Sequence, residues 1–177
     1  SQYVGMCKDL YKNIPFSKEI YDVAKNILGI DILSYSTDGP KNILTSTKIA
    51  QPAIFIHSII IDEILKINGI KIDAVAGHSL GEYSALVSIG ALSLKECIEL
   101  INIRCKEMDR TIKKNPGTMI AVIDNNLNNV QDICNNIDDV IIANYNSTNQ
   151  FVLSGSIKGV KLASEILKEN NITKVFP

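Results

Sequence analysis

The chain has no tryptophan, and its aromatic side chains are few. Aromatic residues make up 6% of the 177 residues, whereas apolar residues make up 46%. An apolar core of this chain must therefore be built chiefly from aliphatic side chains. The length and the apolar content fit one ordinary domain, or one domain with a small insert.

The chain also lacks an excess of charge of either sign. Its 18 basic and 19 acidic residues leave a net charge of −1. Binding to nucleic acid or to an anionic membrane surface normally relies on a basic excess, so neither is indicated.

Long hydrophobic runs are missing as well. The two apolar runs 54–56 and 59–61 are interrupted by His57 and followed by Asp62 and Glu63. They are too short and too charged for a membrane-spanning helix, and no signal-peptide pattern is present. These features predict a soluble protein.

Cysteine is sparse and its spacing carries no motif. The four cysteines, at positions 7, 97, 105 and 134, form no C-x-x-C pair and have no histidine pair nearby. This spacing predicts no metal site. It favours buried free thiols in a reducing compartment.

One stretch does carry a chemical pattern. The apolar run Ile72–Ala76 leads into Gly-His-Ser-Leu-Gly at 77–81, and helix-forming residues follow. This order predicts strand, sharp turn and helix, with Ser79 held in a strained conformation at the corner. Gly77 and Gly81 are expected to leave room for the crossing backbones, and the amide of Leu80 would face an oxyanion formed on Ser79. A tight turn with an ordinary serine is the alternative.

The ten residues Gly77–Leu86 resemble the active-site signature of the malonyl-CoA:acyl carrier protein transacylases. That family includes the acyltransferase domains of fatty acid and polyketide synthases. Further matches follow the family's order along essentially the whole chain: Ser1–Met6 with the end of its amino-terminal motif, Gln51–Ala53, Arg104, and Asn144–Ser147 with Gln150.

The resemblance implies a function. The protein would transfer a malonyl group from malonyl-CoA to the phosphopantetheine thiol of acyl carrier protein, through an acyl-enzyme on Ser79, in fatty acid biosynthesis. It implies no permanently bound cofactor and a monomer when complete. It also implies the cytoplasm, or a mitochondrion or plastid if a transit peptide has been removed.

The resemblance also implies roles for residues. Ser79 would be the nucleophile and the Leu80 amide an oxyanion donor, while Arg104 would hold the malonyl carboxylate through two parallel hydrogen bonds. The remaining substrate-binding residues would be Gln51, His78, Met108, Asn144, Asn146 and Gln150. Without the resemblance, Arg104 reads as a solvated surface residue or part of a structural ion pair.

A serine nucleophile also needs a base. The chain has two histidines. His57 reads as a packed core residue, and His78, beside Ser79 on the turn, should point away from its hydroxyl. The family's base follows the last strand of a ferredoxin-like part, so we expect it after Pro177. The chain therefore looks truncated at both ends, and on its own it is expected to be inactive.

The remaining pattern divides the chain into two parts. Helices are predicted at 17–28, at 52–68, and at 93–112, where Ser93 and Glu96 form a capping box. Pro116 and Gly117 mark a boundary, and a β-α-β-β-α-β order follows. The predicted fold is α/β. A hydrolase-like parallel-sheet subdomain with a nucleophile elbow occupies 1–116, and a small ferredoxin-like α+β subdomain occupies 117–177.

Other functions remain open at this point. The chain could be the acyltransferase domain of a polyketide or multifunctional fatty acid synthase. It could be a serine esterase or lipase, which also uses G-x-S-x-G. It could also be a non-catalytic module that binds carrier proteins. Selectivity for malonyl or methylmalonyl groups is not decided.

Overall fold

The computed structural model describes residues 2–176. The chain forms two compact units, Ser1–Asp109 and Arg110–Pro177. The predicted domain boundary at residue 116 lies just beyond the end of helix α7 (Leu94–Lys114). The two compact units divide within this helix, between Asp109 and Arg110. As a domain boundary, residue 116 stays a prediction. Ser1 and Pro177, which open and close the two predicted parts, lie outside the described residues.

The first unit is helical throughout its regular structure. Its helices are α1 (Lys8–Asn13), α2 (Pro15–Leu28), α3 (Ile32–Thr37), α4 (Lys41–Leu44), α5 (Thr47–Ile67), α6 (Gly81–Ser88) and α7. The core is chiefly aliphatic, as the composition predicts, and its buried aromatic side chains are Phe55 and Tyr21.

Helix α5 runs through this core. Residues 49–53, Phe55 and Ile56 are all buried, as the apolar residues on both faces of its first half predict. The helix starts at Thr47, about one turn before the predicted start, so Pro52 lies inside the helix and not in its first turn. Proline suits the first turn of a helix, but here Ile49 and Ala50, which precede Pro52, are also helical. Both are buried, so the earlier start adds apolar contacts to the core.

Helix α7 begins with the predicted capping box. The Ser93 hydroxyl accepts from the Glu96 amide at 3.2 Å, and the Ser93 amide donates to the Glu96 carboxylate at 2.8 Å. The buried stripe of the helix comprises Cys97, Ile98, Ile101 and Cys105. Met108, one turn beyond Cys105, is 37% exposed.

The strand predicted at Ile72–Ala76 is absent from the described structure, which has an irregular segment there. A strand needs a neighbour that completes its hydrogen-bond ladder, and within residues 2–176 no segment pairs with this one. The parallel sheet predicted for the first part is therefore not formed by the described residues. The prediction of a mixed α/β chain is confirmed.

The second unit has the predicted ferredoxin-like order. It comprises β1 (Gly117–Ile123), α8 (Leu127–Asn135), β2 (Val140–Ser147), β3 (Gln150–Ser156), α9 (Ile157–Glu169) and β4 (Val175–Phe176). The sheet order is β2-β3-β1-β4 and every pairing is antiparallel. Alternate residues of β1, Ile120 and Val122, are buried in a second core that includes side chains of α8 and α9.

The four cysteines are buried and unpaired with one another, as their spacing predicts. Burial raises the pKa of each thiol, because a thiolate loses solvation in an apolar surrounding. Residues 2–176 contain no group of three or more His, Cys, Asp or Glu side chains placed to hold a metal ion. No helix in the same range is long and apolar enough to cross a membrane.

Candidate active site

Ser79 lies at a strained turn immediately before α6. Its φ is +54°, in the left-handed region that non-glycine residues rarely adopt, and its side chain is exposed. Gly77 makes the turn possible, because a Cβ there would overlap the backbone of Gly81 and Glu82. A Cβ on Gly81 would meet no atom of residues 2–176 within 4 Å, so the described residues do not show the close approach predicted at Gly81.

Leu80 is the residue before the first helical position of α6 and has helical backbone angles. The next two amides are engaged: Gly81 donates to the His78 carbonyl at 3.0 Å and Glu82 to the Ser79 carbonyl at 3.3 Å. Within the described part of the chain the Leu80 amide donates to no protein group. It is thus an available donor next to Ser79, at the positive end of a helix.

Arg104 reaches the serine from α7. Its Nη2 donates to Ser79 Oγ at 2.8 Å, and its Nη1 donates to Gln51 Oε1. Gln51 is 9% exposed and directs its Nε2 to Met108 Sδ at 3.2 Å. Four of the predicted site residues, from the turn, α5 and α7, therefore form one continuous set of contacts.

The contacts of Arg104 argue against its two alternative roles, a solvated surface residue and a member of a structural ion pair. The side chain is half-buried, and none of the ion pairs among residues 2–176 includes it. It is therefore neither fully solvated nor part of a structural ion pair. Its guanidinium is a cation whose neighbours, a hydroxyl and an amide, are neutral, so a carboxylate could replace either of them with a gain in charge pairing.

Neither histidine forms a hydrogen bond with Ser79 in residues 2–176. His78 is exposed. His57 is half-buried on α5, where its Nδ1 lies 2.8 Å from Cys7 Sγ. A packing role for His57 agrees with this contact, and the base expected after Pro177 stays a prediction.

The other predicted substrate-binding residues belong to the second unit. Asn144 and Asn146 lie on β2, and Gln150 begins β3 on the other side of a tight turn. Asn146 is exposed, whereas Asn144 and Gln150 are half-buried. Their role stays a prediction.

Sequence reasoning missed one side chain of this site. The ring of Tyr83 lies under the guanidinium of Arg104, with Cζ 5.9 Å from the ring centroid. Its position was the one available signal, because Tyr83 lies in the first turn of α6, directly after the turn that carries Ser79.

Comparisons with known proteins identify a family. The family model described as "Acyl transferase domain" matches residues 1–175. The malonyl CoA-acyl carrier protein transacylase of Bacillus subtilis strain 168 is 38% identical over 181 residues, which cover all of this chain and 57% of that protein. The enzyme of the same name from Haemophilus influenzae is 33% identical, covering all of this chain and 58% of that protein.

Solved structures are similar too. The crystal structure of the malonyl-CoA:acyl carrier protein transacylase of Xanthomonas oryzae matches with a TM-score of 0.94 at 31% identity, over 99% of this chain and 57% of that one. A malonyl-transacylase in complex with a type II polyketide synthase acyl carrier protein matches with a TM-score of 0.93 at 30% identity, over 99% and 58%. The chain thus spans less than two thirds of each of these proteins.

Proposed function

The chain belongs to the acyl transferase domain family, and on that premise we propose that its protein transfers malonyl groups from malonyl-CoA to the phosphopantetheine thiol of an acyl carrier protein. The names of the similar proteins support this substrate and this acceptor. Fatty acid biosynthesis is the process that the proposal implies.

The observation that carries the proposal is the contact between Arg104 Nη2 and Ser79 Oγ, at 2.8 Å. A cation this close to the nucleophile suits an acyl group that ends in a carboxylate. After acylation, Oγ becomes an ester oxygen and a weaker acceptor, and the carboxylate offers the guanidinium two charged oxygens. The Gln51 amide, which holds Nη1 in the free protein, would then be displaced.

The proposed reaction has two matched steps. Ser79 Oγ attacks the thioester carbonyl, the carbon–sulfur bond breaks, and coenzyme A leaves as a thiol with the proton that Ser79 gave up. The phosphopantetheine thiol then attacks the serine ester, the ester carbon–oxygen bond breaks, and the proton of that thiol passes to Ser79 Oγ. The Leu80 amide stabilises the oxyanion in both steps, and one such donor is typically worth about 10²–10³ in rate.

Proton transfer needs a base, which we expect outside residues 2–176, since neither histidine contacts Ser79 there. In this proposal Met108 lines the acyl site through its contact with Gln51, and the exposed His78 lies at its edge. The substrate-binding role proposed for Asn144, Asn146 and Gln150 rests on the family resemblance alone. An esterase that acts on neutral esters would have no carboxylate for this cation to bind, so the site gives that alternative less support.

The test compares two acyl groups in the full-length protein that contains this chain. Arg104→Ala should lower kcat/KM for malonyl-CoA by about 10–150-fold, the worth of a hydrogen bond to a charged group. Transfer of acetyl, which has no carboxylate, should change little.

Lys106→Ala is the matched control, because it removes an exposed cation from the same helix. It should leave both reactions unchanged. Equal losses of malonyl and acetyl transfer in Arg104→Ala would place the guanidinium outside the acyl pocket and contradict the proposal.

A further inference from the structure

The guanidinium of Arg104 is held on its edge by two neutral acceptors. Nη1 donates to Gln51 and Nη2 to Ser79. The N–H donors of a guanidinium lie at the edge of its plane, so a further contact on its face would restrain the tilt of that plane. A carboxylate needs that plane fixed, because two parallel hydrogen bonds form only when the two planar groups are nearly coplanar.

Tyr83 supplies a contact out of that plane. The Arg104 Cζ lies over the Tyr83 ring, 5.9 Å from its centroid, within the range in which a cation is attracted to an aromatic face. The guanidinium is thereby restrained in three directions, by Gln51, by Ser79 and by the ring.

The backbone and the side chain of Tyr83 are both held in place. The Tyr83 amide donates to the Leu80 carbonyl at 3.1 Å, and the Tyr83 carbonyl accepts a hydrogen bond from Cys97 Sγ at 3.4 Å. The half-buried side chain packs against the core of the first unit. Because α6 begins directly after Ser79, one short helix positions both the nucleophile's turn and the face beneath its cation.

We infer that Tyr83 is a positioning residue that sets the plane of the Arg104 guanidinium for an acyl carboxylate, an inference that rests on the proposed function. The ring face carries this role, since the Tyr83 hydroxyl makes no hydrogen bond to any group in residues 2–176. The phenol oxygen is therefore dispensable and the aromatic ring is not.

The experiment uses Tyr83→Leu, which removes the ring, and Tyr83→Phe, which keeps it, in the full-length protein. Tyr83→Leu should lower the ratio of kcat/KM for malonyl-CoA to that for acetyl-CoA by about 2–5-fold, chiefly through KM for malonyl-CoA. Tyr83→Phe should keep the wild-type ratio. A merely structural role would lower both reactions together and leave the ratio unchanged, which would overturn the inference.

A second measurement separates this inference from the proposed function. Nuclear magnetic resonance of the Arg104 side chain reports rotation about its Nε–Cζ bond without any substrate. Rotation should be faster in Tyr83→Leu than in wild type, and unchanged in Tyr83→Phe. If the wild-type protein transfers no malonyl group but shows this pattern, the positioning role stands and the proposed function fails. Equal rotation in all three proteins would overturn the positioning role.

Discussion

Two nucleophilic side chains of the first unit share a local geometry. Ser79 and Cys7 both have left-handed backbone angles, with φ of +54° and +65°. Each also lies 2.8 Å from a nitrogen of a basic side chain, Arg104 for the serine and His57 for the cysteine. By distance alone, the cysteine and its imidazole are the more conventional catalytic pair.

Their surroundings differ. Cys7 is 5% exposed and belongs to the hydrophobic core, and burial raises the pKa of its thiol. Burial also raises the pKa of nearby Tyr21, so the neutral forms of both groups are favoured. Ser79 is exposed, beside a cation and an available backbone amide. A strained backbone and a basic neighbour therefore do not make a reaction site unless a substrate can reach the nucleophile.

The largest expected effect comes from disturbing the turn that exposes Ser79. Gly77→Ala places a methyl group into the backbone of Gly81 and Glu82, which must then shift. We expect acylation of Ser79 to slow by about 10²-fold, the typical cost of misplacing a reacting atom by about 1 Å. We also expect stability to fall by about 1–3 kcal/mol.

Gly81→Ala is the control for that variant, since the added methyl group meets no atom of residues 2–176 within 4 Å. It should acylate at the wild-type rate. Rapid acylation of Gly77→Ala in a stopped-flow assay with malonyl-CoA would show that the turn does not position the nucleophile.

A smaller effect should appear when a thiol occupies both position 79 and position 7. In Ser79→Cys, the thiol introduced on the turn should react with iodoacetamide at about pH 8 faster than that of Cys7. Exposure and the Arg104 cation favour its thiolate, whereas burial raises the pKa of the Cys7 thiol and disfavours its thiolate.

Peptide mass spectrometry after timed alkylation gives the two rates within one protein. In denaturant the rates should converge, because the difference arises from the fold. If Cys7 in the folded variant reacted as fast as the introduced thiol, the contrast between the two positions would be lost.

How far the sequence predicts the structure also differs between regions. The second unit could be predicted in full order, because its apolar alternation and turn residues act over short stretches and each strand finds its partner within the unit. Helix α7 could be predicted from the capping box of Ser93 and Glu96. The run Ile72–Ala76 shows the limit: its residues suit a strand, but a strand also depends on a partner that local pattern does not identify.

The site shows a similar division. The serine turn is a local pattern, and Arg104 was predicted through the resemblance to a family. The contacts of Arg104 with Gln51 and Tyr83, and that of Cys7 with His57, join residues far apart in sequence or on separate helices. No periodicity encodes such contacts, because they arise only when helices pack.

We expect Ser79, and not Cys7, to carry the acyl group. The most direct measurement is to mix the full-length protein with malonyl-CoA, quench it in acid, and locate the label by peptide mass spectrometry. We predict one malonyl group per molecule on Ser79, none in Ser79→Ala, and full labelling in Cys7→Ala. A malonyl group on Cys7, or labelling that persists in Ser79→Ala, would contradict the account.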